Sequence, residues 1–235
     1  MTIRTLLAPL FGLGLLLGTS AVLAATPGAF IATYNVSQGG EPMGVATVTL
    51  RNAGHGEWIY SKDVKSTGGL AAMLGASLTE ASRFRWKGDV PEAISYDYQL
   101  QTGIKNKQRN MTVDWVKNQV TVDEGKGAKT YPASPGMVER NTTSLALGLA
   151  LRDGKQQIAL PVAVRQQVQT QSFKVTGKEP IKVPAGNFNA ERIDRTDAER
   201  GFSAWYVPAR YLLPVKLSQH DGGDLTMELV SYKAN

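Results

Sequence analysis

Apolar residues recurring at every second position, cut at intervals by glycine and proline, restrict the stretch 180–217 to strands and tight turns. Ile181, Val183, Phe188, Ala190 and Ile193 form a short hairpin pattern around Pro184-Ala185-Gly186-Asn187, whose Gly and Asn tolerate a positive φ. Phe202, Ala204, Tyr206 and then Leu213, Val215 and Leu217 keep the period of two. Pro208 and Pro214 interrupt it, because proline has no N–H to give to a ladder.

The same alternation predicts strands over 29–38 and 43–51, joined by Gly39-Gly40-Glu41-Pro42, and over 57–65, 81–87, 92–102, 108–116, 119–123, 157–164, 166–176 and 225–232. Gly103 to Arg109 reads as a basic hairpin tip. Two segments depart from this texture. In 66–80, Leu70, Met73, Leu74 and Leu78 are spaced as one face of a short helix, with a plug completing the core favoured over a lid. In 142–152, Asn141 or the following threonines supply a cap and Gly154 a C′ residue; these signals favour a helix over the competing strand alternation of Leu145, Leu147, Leu149 and Leu151. The expected fold is mainly β: a large twisted antiparallel sheet curled into an open barrel or sandwich, with two short helices.

The first residues carry one charge, Arg4, ahead of an apolar run that ends at Val22-Leu23-Ala24. This is the pattern of a signal peptide cleaved after residue 24, leaving a single all-β domain over 25–235 and no transmembrane segment after cleavage. The expected location is the periplasm of a Gram-negative envelope. The chain has no cysteine, which excludes a lipidated N-terminus, thiol catalysis and cysteine-ligated metals. About 210 residues suffice for one core burying roughly 70% of the unfolded surface. The net charge of +6 is spread among alternating signs and reads as a solvated surface.

Little in the sequence points to chemistry. His55 and His220 fall in separate turns without metal-ligand spacing, so no metal is expected. Neither Gly-x-Ser-x-Gly nor Ser-x-x-Lys is present. Asp194, Asp197 and Glu199 lie among Arg192, Arg195 and Arg200, which surface ion pairing explains better than a catalytic carboxylate pair. Neither a cofactor nor a nucleic-acid partner is expected, since the aromatics belong to buried strands.

Several motifs together carry a resemblance. They are Tyr34-x-Val36-x-x-Gly39-Gly40 followed by Gly44-x-Ala46, the dipeptide Asp114-Trp115, Thr142-x-Ser144 followed by Leu151-Arg152, Pro184-Ala185-Gly186-x-Phe188-x-Ala190-x-Arg192-Ile193, and Trp205 followed by Leu213-Pro214-Val215-Lys216-Leu217. With these the chain resembles a bacterial envelope family of unknown function, domain of unknown function 3108, over nearly the whole mature length. The resemblance implies export and an antiparallel β fold with no assigned activity. It also implies an acidic residue ahead of the helix, where this chain has Arg140-Asn141.

A curled sheet can leave an apolar interior. The leading expectation is therefore a noncatalytic protein that binds or carries a lipid-like envelope ligand. Trp58, Leu70, Leu74, Leu78, Trp86, Trp115 and Leu149 are the candidate lining residues. The alternative is an adaptor that engages an envelope protein through a sheet edge or the basic hairpin tip. A glycan-acting enzyme ranks third. The sequence leaves the oligomeric state open.

Overall fold

The computed structural model describes residues 27–68, 72, 75–198, 201–220 and 224–234, so the apolar leader expected over 1–24 lies outside the described residues. Among the described residues fifteen strands form one sheet. In chain order they are β1 (Phe30–Gln38), β2 (Glu41–Gly54), β3 (Glu57–Ser66), β4 (Ser77–Lys87), β5 (Val90–Thr102), β6 (Lys105–Asp114), β7 (Gln119–Asp123), β8 (Lys129–Pro132) and β9 (Val138–Glu139). After the helix α1 (Thr143–Arg152) come β10 (Gln157–Ala163), β11 (Val168–Val183), β12 (Gly186–Arg195), β13 (Phe202–Tyr206), β14 (Lys216–Gln219) and β15 (Leu225–Ala234).

The sheet is an antiparallel meander folded back on itself. The order runs β8 to β1 and then β15 to β9, so the first and last strands pair at its centre, from Phe30↔Ala234 to Gln38↔Leu225. Tight turns set the register: Gly39 and Gly40, at φ of 57° and 86°, make the left-handed turn that suits the twist of the β1–β2 hairpin. The one parallel pair, β9 with β10, is connected through α1, as a parallel pair requires a crossover.

The two ends of the sheet meet without pairing. No ladder joins β8 to β9, but Ala93 N on β5 donates to Met137 O beside β9 at 2.9 Å, and the Tyr131 hydroxyl on β8 donates to Val164 O after β10. The sheet is thus a curled, unclosed barrel. Its concave face holds α1, buried from Leu145 to Leu151; Leu145 and Leu149 belong to the core cluster shared by β1 to β4, β11, β12, β15 and the 212–215 segment, and Ala146, Leu147, Ala150 and Leu151 to the one shared with β9 to β13. A helix apolar all round belongs in a core, which is why its leucines also mimic a strand.

Several expectations need correction. Among the described residues α1 is the one helix of this length, and the helical segment expected over 66–80 stops short of its end: β4 begins at Ser77, and Leu78 pairs with Val64 on one side and Leu100 on the other. Cross-strand partners on both flanks outweigh the local helical spacing. Ahead of β4, Ala72 is helical, its N–H donating to Gly68 O at 3.3 Å and its carbonyl accepting from Gly75 N at 3.0 Å, while Leu70, Met73 and Leu74 lie outside the described residues. The basic tip shortens to Gly103 and Ile104, because β6 starts at Lys105. Trp115 follows the end of β6 instead of sitting in it, and 213–215 precede β14. The short strands β8 and β9 carry too few alternating residues to be seen in the sequence.

Candidate functional site

The barrel interior contains a cavity of about 430 Å³. One end is lined by the ends of strands, at Met43, Ser66, Ser77, Leu100, Gln219 and Leu225; the other is lined by Asn141, Thr143 and Ser144 at the start of α1, with Leu213 and Pro214. Val36, Val48, Val64, Leu78, Phe173 and Met227 add apolar wall. Tyr34 and Tyr60 lie deep in it, and Tyr34 donates to Pro214 O at 2.9 Å. Burial pushes both phenols well above the usual tyrosine range, so they remain neutral.

Into this wall the strands place charge. Lys62 on β3 and Glu80 on β4 are register partners and form an ion pair, and both line the cavity. Glu80 is fully buried; it also accepts from the Tyr96 hydroxyl at 2.5 Å and lies 3.5 Å from Arg140 Nε. Burial alone would raise its pKa, but the Lys62 and Arg140 charges and the bonds from Lys62 and Tyr96 outweigh it and hold the carboxyl down at about 2. Arg195, paired with Asp197, is the third cation on the cavity wall.

The turn between β9 and α1 fixes Arg140. Buried Glu139 accepts from Asn141 N at 2.7 Å and Thr142 N at 3.0 Å, and its backbone carbonyl accepts from the Thr142 and Thr143 hydroxyls. Thr142, at the N-cap position, makes no side-chain cap bond, so the cap expected of it is not made, and Glu139 instead braces the turn ahead of the helix through Asn141 N and Thr142 N. Burial pushes its carboxyl above the usual range, against bonds from Ser82, Asn141 N and Thr142 N. Asn141 Nδ2 donates to Tyr60 O and Ser82 Oγ, while Asn141 Oδ1, on a residue 4% exposed, has no partner among the described residues.

Of the candidate lining residues, Leu78 lines this cavity. Trp58 and Trp86 pack edge to face with ring centroids 6.1 Å apart, at the opposite ends of β3 and β4 from Ser66 and Ser77. Trp115 donates from Nε1 to Ala93 O at 3.0 Å under the Arg85 guanidinium. Leu149 is buried among core residues on α1. The polar residues Lys62, Glu80 and Arg140 escaped the sequence reading, yet Lys62 alternates with Tyr60 and Val64, and Glu80 with Leu78, Ser82 and Phe84, on inward-facing positions. A charge in phase with buried aromatics was the available signal.

Elsewhere, Arg192 Nε bonds Asp194 at 3.0 Å on the outer face, the ion pairing foreseen there, and His220 contacts Asp224 at 2.7 Å. No group of three His, Asp or Glu side chains among the described residues is placed to hold a metal ion. No described helix is long and apolar enough to cross a membrane.

No curated protein matches the chain. Among solved structures it is similar to a beta-barrel-like protein of the domain of unknown function DUF1849 from Brucella abortus, with a TM-score of 0.55 and 9% sequence identity over 90% of this chain and 100% of that one. At that identity the likeness concerns the fold alone. The family model for the protein of unknown function DUF3108 matches residues 33–230, and the chain belongs to that family.

Proposed function

We propose that this protein is an exported, noncatalytic binding protein that holds an apolar, lipid-like ligand of the cell envelope inside its curled sheet. The observation that carries this reading is the interior cavity of about 430 Å³, reached among strand ends and walled by Val, Leu, Met and Phe side chains alongside the charged group of Lys62, Glu80 and Arg140. Its size falls within the roughly 300–1,000 Å³ of small-molecule sites. The periplasm is the location proposed, on the leader pattern of residues 1–24.

Catalysis finds less support. Hydrolysis of a glycosidic bond calls for two carboxyl groups across a cleft, and among the described residues Glu80 is the one carboxylate on the cavity wall. Glu139 has the raised pKa of an acid catalyst, but both its oxygens are held by backbone N–H groups and it does not line the cavity. The adaptor reading would use an open edge. The outer strands are short, β8 ends in proline, and both residues of β9 are buried, features that blunt an edge.

The test is native mass spectrometry of the mature protein purified from the periplasm without detergent. A discrete added mass that extracts as a lipid is the expected result. A clean protein mass that takes up none of the offered envelope lipids would overturn the reading.

A further inference from the structure

Arg140 lines two interior cavities at once. Its side chain keeps 55% of its surface accessible, although its carboxylate neighbour Glu80 is fully covered. The second cavity, of about 320 Å³, is lined by Arg109, Arg165 and Tyr96 as well. Glu124 accepts from Arg109 Nε at 2.6 Å and lies 2.9 Å from Arg165 Nε. Lys62, Arg109, Arg140 and Arg165 thus share two carboxylates, Glu80 and Glu124, and the cluster keeps a surplus of positive charge on a semi-enclosed surface.

A guanidinium fork left accessible inside a protein is suited to a planar or tetrahedral anion held by two parallel bonds. Beside it, the unpartnered Asn141 Oδ1 on the wall of the larger cavity is an acceptor for a hydroxyl. The apolar wall begins on the same side, with Val64 and Leu78 flanking Lys62 and Glu80 in the strands.

We propose that the two cavities form one amphipathic site, in which an alkyl chain lies in the larger and its anionic head group, a phosphate or carboxylate, sits at Arg140 facing Arg109 and Arg165. This names the ligand class for the apolar-ligand reading and rests on it. The surplus charge selects the head, and the larger cavity takes the chain.

Isothermal titration of the mature protein with dodecyl phosphate, dodecanoate, dodecanol and inorganic phosphate tests the inference. The two anionic amphiphiles should bind at least about tenfold more tightly than dodecanol, the worth of one charge-assisted contact. Arg140→Gln and, separately, the more exposed Arg165→Gln should erase that preference while leaving dodecanol binding in place; the second variant guards against a folding defect in the first. Equal binding of dodecanol and the anions, unchanged in both variants, would overturn the head-group assignment and leave the apolar-ligand reading standing. Binding of none of the three chains would overturn both. Inorganic phosphate that binds as tightly as dodecyl phosphate, and is lost in Arg140→Gln, would show a free-anion site and overturn the joint one.

Discussion

Lys62 and Glu80 face each other across the β3–β4 ladder as direct register partners, and the carboxylate is fully buried while the ammonium keeps a fifth of its side-chain surface accessible. The pair stands on the cavity-facing side of the sheet, where Val64 and Leu78 are the next pair along. Placing charge there costs desolvation, which the Lys62 and Arg140 charges and the Tyr96 bond offset.

Acid should therefore unfold the protein in part through Glu80. Its folded pKa of about 2 lies below that of an unfolded glutamate. The stabilisation is present above the unfolded value of roughly 4.3 and is lost as pH falls towards 2, a swing of about 3 kcal/mol. Urea unfolding of wild type and Glu80→Gln between pH 7 and pH 3 checks this. The variant should be weaker by about 3 kcal/mol at pH 7, and the gap should narrow on acidification. A constant gap would show that Glu80 acts through packing instead of charge.

Glu92 closes the seam of the barrel. It is fully buried, accepts from Arg85 and Lys87, and takes the Gly136 N–H at 2.9 Å, which ties the 133–137 segment to β5 beside the Ala93 to Met137 bond. Burial works against its charge, but the Gly136 bond and the two cations hold its pKa below the usual range. Glu92→Ala should cost about 2–3 kcal/mol, chiefly the unmet Gly136 donor and the loss of a charged acceptor. Hydrogen exchange should speed up at Ala93 and Met137 while the β1–β15 amides stay protected. Uniformly faster exchange would mean that the seam is no separate unit.

Alternation made most of the fold legible: β1, β2, β3, β5 and β7 stand within a few residues of where their apolar period puts them, because each has one buried and one wetter face. It failed where packing on both flanks overrode local spacing. Leu78 joins a strand despite its helical phase, and β9 is too short to carry any period. The site was harder to see. Leu78 was found because it is apolar, whereas Lys62, Glu80 and Arg140 meet only once β3, β4 and the turn after β9 come together from positions far apart in the chain.

Gly148 sets a sharper test of the helix's seat. A Cβ there would stand 1.8 Å from Leu212 O, a backbone atom, and 3.3 Å from Tyr206. Helix propensity alone favours Gly148→Ala by about 1 kcal/mol. The clash should win, since the atom met is a backbone carbonyl and not the far end of a flexible side chain, and the variant should lose about 1–3 kcal/mol. Chemical denaturation decides the sign: a more stable variant would mean that α1 can shift within the sheet.

The cavity itself is tested by filling it. Leu78 projects from β4 into the wall between Val64 and Leu100 and is partly accessible. Leu78→Trp adds bulk to the open side of the wall, so the protein should fold with a loss of no more than about 1–3 kcal/mol, while the affinity for dodecanoate should fall by about tenfold or more as the chain loses its place. Titration calorimetry paired with urea unfolding separates the two effects. A variant that keeps wild-type stability and wild-type affinity would show that the chain is not held against β4, and would remove the main support for an interior ligand site.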